Sequence, residues 1–268
     1  MSEPAGPGSL SLRASLDGPA GAPVVVLGNS LGTSRAVWDG VAPALTARYR
    51  LLRYELPGHG GSPAPPGEYT VADLGAAVLA LLDSHDVRRA AYCGISLGGM
   101  TGMWLAAHHP GRISSLGLVC TSAYLPPASG WLDRAARALE GGMTSISEQV
   151  AGRWFTPAFT RGEPATCAAF TAELERTDPV GYAGCCAAIA AMDQRADLGS
   201  ITAPTLVVAG AEDPATPPAH GALIASGIGG ARLLVLRGTA HLATAERPAE
   251  VAAALLGHLG ASANSGHW

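Results

Sequence analysis

Gly94-Ile95-Ser96-Leu97-Gly98-Gly99 closes one apolar run, Ala90–Ile95, and opens a helical pattern that stops before Pro110. A buried strand that turns into a helix within a residue or two strains the corner residue and lifts its side chain clear of the sheet. Glycines two before and two after that corner let strand and helix approach closely. A G-x-S-x-G string also suits a serine N-cap in a glycine-rich turn. Here the apolar run before it and the apolar helix after it select the strand-to-helix elbow, with Ser96 as candidate nucleophile.

Outward from this elbow lie further short apolar runs: Val24–Leu27, Leu51–Leu56, Ile113–Cys120, Thr205–Ala209 and Leu233–Leu236. Several are continuous rather than alternating, as strands of a buried parallel sheet are. An earlier run, Leu10–Leu16, alternates and predicts an exposed antiparallel edge strand. Thr70-Val71-Ala72-Asp73 starts a helix with a capping-box pattern, continuing to about Leu82, and another runs from about Ala249 to Leu259. This rhythm predicts an α/β fold: a mostly parallel twisted sheet flanked by helices on both faces. Residues 123–198 break it, being rich in helix formers and without a convincing strand. They read as a helical cap inserted over the carboxyl ends of the strands, where open α/β folds bind ligands. The chain thus divides into a core of residues 1–122 and 199–260, the cap, and a loose tail over 261–268.

A serine hydroxyl is a weak nucleophile and needs a base, itself oriented by a carboxylate. In this arrangement the chain order is Ser, Asp or Glu, then His. Ala209-Gly210-Ala211-Glu212-Asp213-Pro214 follows a strand directly, and Asp213 is preferred over Glu212 because Pro214 and Pro217 fix the turn around it. His241, in Thr239-Ala240-His241-Leu242 after the last strand, is the candidate general base. His59 reads as a brace within Pro57-Gly58-His59-Gly60, and His108 and His109 sit at a helix end, where imidazolium favours the dipole. The oxyanion needs two donors, expected from the Leu97 N–H and from Leu31 in Gly28-Asn29-Ser30-Leu31-Gly32, with Ser30 either steadying the loop or touching the substrate. No grouping has the spacing of metal ligands, so neither a metal nor a cofactor is expected.

The composition agrees. Of 268 residues 48% are hydrophobic and 14% charged, which suits a packed globule rather than a disordered chain. The formal charge of −4 comes from 17 cations, all arginine, and 21 acidic groups, with no basic run to engage nucleic acid. The five cysteines form no C-x-x-C pair, and two are adjacent (Cys185-Cys186), which points to a reducing, cytoplasmic compartment. Residues 1–8 lack the basic start and apolar run of a signal peptide, and no apolar stretch is long enough for a membrane span.

Over about residues 10–260 the chain resembles the 3-oxoadipate enol-lactonases of the α/β-hydrolase superfamily. The matching stretches are Asn29-Ser30-Leu31-Gly32-Thr33, the elbow through Met100, Arg153-Trp154-Phe155-Thr156, Asp178-Pro179-Val180-Gly181-Tyr182-Ala183-Gly184-Cys185-Cys186 and Gly210 through Pro218. The elbow is superfamily-wide, whereas the Trp-Phe-Thr and Tyr-Ala-Gly-Cys-Cys stretches lie in the insertion and are more specific. Ala240 departs from the glycine that often precedes the histidine. The resemblance implies opening of 3-oxoadipate enol-lactone to 3-oxoadipate in breakdown of aromatic acids. That substrate carries a free acetate arm, so a closed pocket needs a compensating cation. Arg134, three residues after Trp131 on one helical face, and Arg153 are the candidates. Trp131, Met143, Trp154 and Phe155 are candidate lining residues. The partner is therefore a small anionic lactone or ester, with oligomeric state open. The alternatives are an esterase or lactonase of the same fold with another substrate, and a ligand receptor that keeps the fold.

Overall fold

A computed structural model of the protein describes residues 10–264, so the expectations for residues 1–8 and for 265–268 lie wholly or largely outside it. Its strands are β1 (Ala14–Asp17), β2 (Val24–Gly28), β3 (Arg50–Tyr54), β4 (Ala90–Ile95), β5 (Ile113–Val119), β6 (Thr205–Gly210) and β7 (Arg232–Leu236). They form one sheet in the order β1-β3-β2-β4-β5-β6-β7, parallel throughout except for the antiparallel β1–β3 pair. β4, β5 and β6 are buried at every position, so they carry no charged residue and lack the polar alternation of a half-exposed strand, although β5 includes Ser114 and Ser115.

Helices cover the two faces. They are α1 (Ala42–Thr46), α2 (Val71–Ser84), α3 (Leu97–His108), α9 (Pro218–Gly227), α10 (Ala243–Glu246) and α11 (Pro248–Asn264). The period of two sends Tyr92 and Leu116 toward Gly102 of α3, and Cys93 and Gly117 toward Leu255 of α11. The capping box of α2 forms as its sequence predicts, the Thr70 N–H donating to Asp73 Oδ2 (2.8 Å) and the Asp73 N–H to Thr70 Oγ1 (3.1 Å).

Three expectations are corrected. The edge strand begins only at Ala14, because the Arg13 N–H goes to Ser62 Oγ (2.8 Å); Leu10 and Leu12 still pack on the core. β7 lies at the opposite edge, where Leu233 and Val235 are 38% and 40% exposed, rather than in the buried interior. The loose tail starts later than residue 261, since α11 continues to Asn264. Ser262 is buried there, one turn beyond His258, and both bond to Ser115 Oγ of β5, at 3.0 and 2.8 Å.

Between β5 and β6 stand α4 (Ala128–Gly141), α5 (Thr144–Ala151), α6 (Pro157–Gly162), α7 (Pro164–Glu175) and α8 (Pro179–Ala191). The ends of this segment meet at an antiparallel Tyr124–Asp193 bridge, and the Gln194 N–H donates to the Ala123 carbonyl (2.8 Å). α4 packs along α8, and α5 against α4 and α7. Among the described residues no helix is long and apolar enough to cross a membrane.

Candidate active site

Ser96 sits between β4 and α3 with φ +54° and ψ −118°, a conformation an L-residue adopts only when its surroundings hold it there. Its N–H donates to the Val119 carbonyl (3.0 Å), and its carbonyl accepts from Thr121 Oγ1 (2.7 Å). The glycines are required by space. A Cβ on Gly94 would lie 2.3 Å from the Gly98 carbonyl group, and one on Gly98 would lie 2.4 Å from that of Gly28. Below the turn, Tyr54 and Tyr92 share a hydrogen bond (2.7 Å), and Tyr92 Oη donates to the Gly98 carbonyl (2.9 Å).

The Gly98 N–H donates to the Asn29 carbonyl (2.9 Å), which ties the loop after β2 to the N-terminus of α3. Leu31 and Leu97 are thereby brought to the same corner, and neither N–H is donated to an acceptor among the described residues. His59 holds this loop from outside the cavity, as expected of a brace. Its Nε2 accepts the Gly32 N–H (2.9 Å), so Nδ1 carries the proton and donates to the Pro57 carbonyl (2.8 Å). Burial pushes its pKa down to about 4. The folded protein therefore resists protonating His59, and its contribution to stability is present above pH 6.5 and lost as pH falls toward 4. Between pH 7.5 and 5 this group alone costs about 2 kcal/mol. Glu55, pushed up to about 7 by burial, acts in the opposite direction over much of that range. His59→Gln should thus lose less stability on acidification than the wild type. Urea denaturation at pH 7.5 and 5 checks this, and parallel losses in the two proteins would refute it.

Asp213 follows β6 and is buried, whereas its neighbour Glu212 is exposed, which decides between the two carboxylates. Asp213 Oδ1 accepts from the Ala215 and Thr216 N–H groups (2.8 and 2.9 Å), and Oδ2 from Thr216 Oγ1 (2.7 Å) and His241 Nδ1 (2.8 Å). Burial raises its pKa, but attraction to His241 and hydrogen bonds from His241 and Thr216 outweigh that and hold it at about 2. His241 follows β7, and its ring joins Ser96 in lining one cavity of about 490 Å³. A carboxylate on Nδ1 leaves Nε2 free to take a proton from a hydroxyl in that cavity.

Ser30, Leu31, Trp131, Arg134, Arg153 and Trp154 also line it. The Arg134 guanidinium lies 4.4 Å from the Trp131 ring centroid, consistent with one helical face. Met143 and Phe155 do not reach the cavity. Met143 precedes α5 on its buried side, and Phe155 stacks on Phe159 and meets Phe170 edge-on. His108 and His109 are remote, packed on Trp104.

Sequence reasoning missed Arg137, Gln149 and Tyr182 as lining residues. Arg137 follows Arg134 by three, the same spacing that linked Trp131 to Arg134, so it was within reach of that argument. It is already engaged, donating to Gln149 Oε1 (2.8 Å) and the Ser145 carbonyl (2.9 Å). Tyr182 is fully buried, and its Oη has no hydrogen-bond partner among the described residues. Burial raises its pKa, and the nearby Arg134 opposes that rise. Among the described residues no cluster of His, Cys, Asp and Glu is arranged to hold a metal ion.

Residues 23–248 match the family model described as alpha/beta hydrolase fold. The chain is 38% identical over 231 residues to 3-oxoadipate enol-lactonase 2 of Acinetobacter baylyi, covering 86% of each chain. The enol-lactonase structure from Burkholderia xenovorans superposes with a TM-score of 0.92 at 37% identity, covering 96% of this chain and 100% of that one. A hydrolase structure from Pseudomonas aeruginosa gives a TM-score of 0.90 at 46% identity, covering 93% and 94%.

Proposed function

Because the chain belongs to the α/β-hydrolase family, within the group of the 3-oxoadipate enol-lactonases, and is a hydrolytic enzyme, we propose that it opens 3-oxoadipate enol-lactone to 3-oxoadipate. The observation that carries this reading is the shared cavity: Ser96 and His241 open onto it beside Arg134 and Arg153. An ester carbonyl and a carboxylate are the two groups that such walls match. The volume suits one small molecule.

In this mechanism Ser96 Oγ attacks the lactone carbonyl while His241 Nε2 takes its proton, and Asp213 holds the imidazole in the correct tautomer. The Leu97 and Leu31 N–H groups receive the oxyanion. Collapse breaks the ring C–O bond, and His241 returns the proton to the departing enolate oxygen, giving an enol that tautomerises to the ketone and leaving His241 neutral. The ketone that results cannot readily close the ring again, which drives the step forward. Water, deprotonated by His241, then attacks the acyl-enzyme and frees Ser96. The acetate arm stays ionised and lies against Arg134, with Arg153 completing a cationic wall. The cap of residues 123–198 supplies that wall, and the core of 1–122 and 199–260 supplies the reacting groups.

Arg134→Ala is expected to raise KM for the enol-lactone by roughly 10- to 100-fold, the value of a charged hydrogen bond. KM for a short neutral ester should change by less than about threefold. Steady-state kinetics on both substrates check it, and equal effects would remove Arg134 from the anchor role. Arg153→Ala tests the second cation in the same way. The substrate itself is tested by comparing kcat/KM for the enol-lactone with that for short neutral esters. A preference for the esters would overturn the assignment and leave an esterase of the same fold.

A further inference from the structure

The backbone on each side of His241 is tied to the segment that walls the cavity. The Leu242 N–H donates to the Trp154 carbonyl (2.9 Å), and the Ala240 N–H donates to Glu246 Oε2 (2.7 Å). The other oxygen of the same carboxylate, Glu246 Oε1, accepts from the Thr156 N–H (3.0 Å) and from Thr156 Oγ1. Glu246 and Thr156 are both buried, at 7% and 4% exposure. A carboxylate withdrawn from water is costly unless donors surround it, and here three donors from two separate segments do so. The loop needs such support, since residues 239–242 belong to no helix or strand.

We propose that Glu246 is a positioning residue for His241: with Thr156 it clamps the histidine loop to the cavity wall lined by Trp154, so that the base and that wall keep one geometry. This gives a role to the Thr of the Trp-Phe-Thr stretch, whose side chain does not line the cavity. The proposal rests on the reading of His241 as general base to Ser96. A base must stand within about 2.6–3.2 Å of the proton it takes. Misplacement by about 1 Å can cost roughly 100-fold in rate. Glu246 touches no substrate in this reading and acts only through the loop.

The amide in Glu246→Gln has a single acceptor oxygen, so it cannot accept on both sides of the bridge. Thr156→Val removes the hydroxyl at nearly constant volume, and Thr156→Ser restores it. Two rates are measured on the full-length protein: turnover of p-nitrophenyl acetate, and phosphonylation of Ser96 by a fluorophosphonate, which needs the base but not the substrate's own contacts. Glu246→Gln is expected to lower kcat and the phosphonylation rate together by about tenfold or more, with KM within about twofold. Thr156→Val should move both rates in the same direction by less, and Thr156→Ser should recover them. Wild-type rates in Glu246→Gln and Thr156→Val, with only a lowered Tm, would overturn the clamp and leave a structural tie. If Glu246→Gln does not fold, the two Thr156 variants decide the matter alone. Failure of the underlying reading looks different: the wild type itself would not be phosphonylated at Ser96, and the proposal would fall with it.

Discussion

Ser96→Ala should reduce kcat by roughly 10⁴- to 10⁶-fold while leaving KM and the folded structure near those of the wild type. The hydroxyl is the one group at the elbow that bonds to substrate carbon in the proposed mechanism, and nothing else there replaces it. The hydrogen bonds that hold the turn involve the Ser96 backbone, through Val119 and Thr121, and Ala keeps them. Ala also keeps a Cβ at φ +54°, so its stability should match that of the wild type within about 0.5 kcal/mol. Ser96→Gly provides the contrast. It removes the same hydroxyl and also relieves the left-handed backbone, so it should be equally inactive yet more stable by about 1 kcal/mol. Kinetics with chemical denaturation of both variants check the pair. Wild-type-like turnover in Ser96→Ala would refute the nucleophile assignment.

Asp213→Asn should cost about 10⁴-fold in kcat without dismantling the site, because the loss comes from tautomer rather than geometry. The carboxylate accepts on both oxygens, from two backbone N–H groups on one and from Thr216 and His241 on the other. With the Ala215 and Thr216 N–H groups holding the asparagine oxygen, its NH₂ takes the place of Oδ2 and faces His241 Nδ1 and the Thr216 hydroxyl, which turns to accept. That nitrogen then becomes the acceptor, Nε2 carries the proton, and the imidazole cannot take one from Ser96. With its pKa held at about 2, Asp213 is ionised throughout the working range, so it does not produce the acid limb of the rate profile. It does contribute to acid stability. The interaction is present above about pH 3.8 and is lost as pH falls through 2, a loss of about 2 kcal/mol. A pH–rate profile of the wild type beside single-point kinetics of Asp213→Asn checks both statements. A variant retaining more than about a tenth of kcat would show that orientation of His241 does not depend on this carboxylate.

The elbow was legible because its chemistry is local. Gly94, Ser96 and Gly98 must occupy fixed positions relative to one strand end, and the apolar runs on either side mark that end. Asp213 and His241 were legible for the same reason, each lying just beyond a strand of a parallel sheet. The cavity wall was only partly legible. Helical spacing placed Trp131 and Arg134 on one face, but the rotation of each helix against its neighbours decides which face meets the cavity. Met143 and Phe155 fell on the packed side, while the exposed Gln149 and the buried Tyr182 both fell on the cavity wall.

By itself, the sequence determined the sheet, the strand-to-helix elbow at Ser96 and the chain order of Ser96, Asp213 and His241, because strand patterning and turn chemistry act over a few residues. Only the tertiary structure decided which cations share the cavity with Ser96, and that Glu246 joins Thr156 to Ala240 across 90 and 6 residues of chain. Such contacts follow from how distant segments pack, and no periodicity or spacing within a segment encodes them.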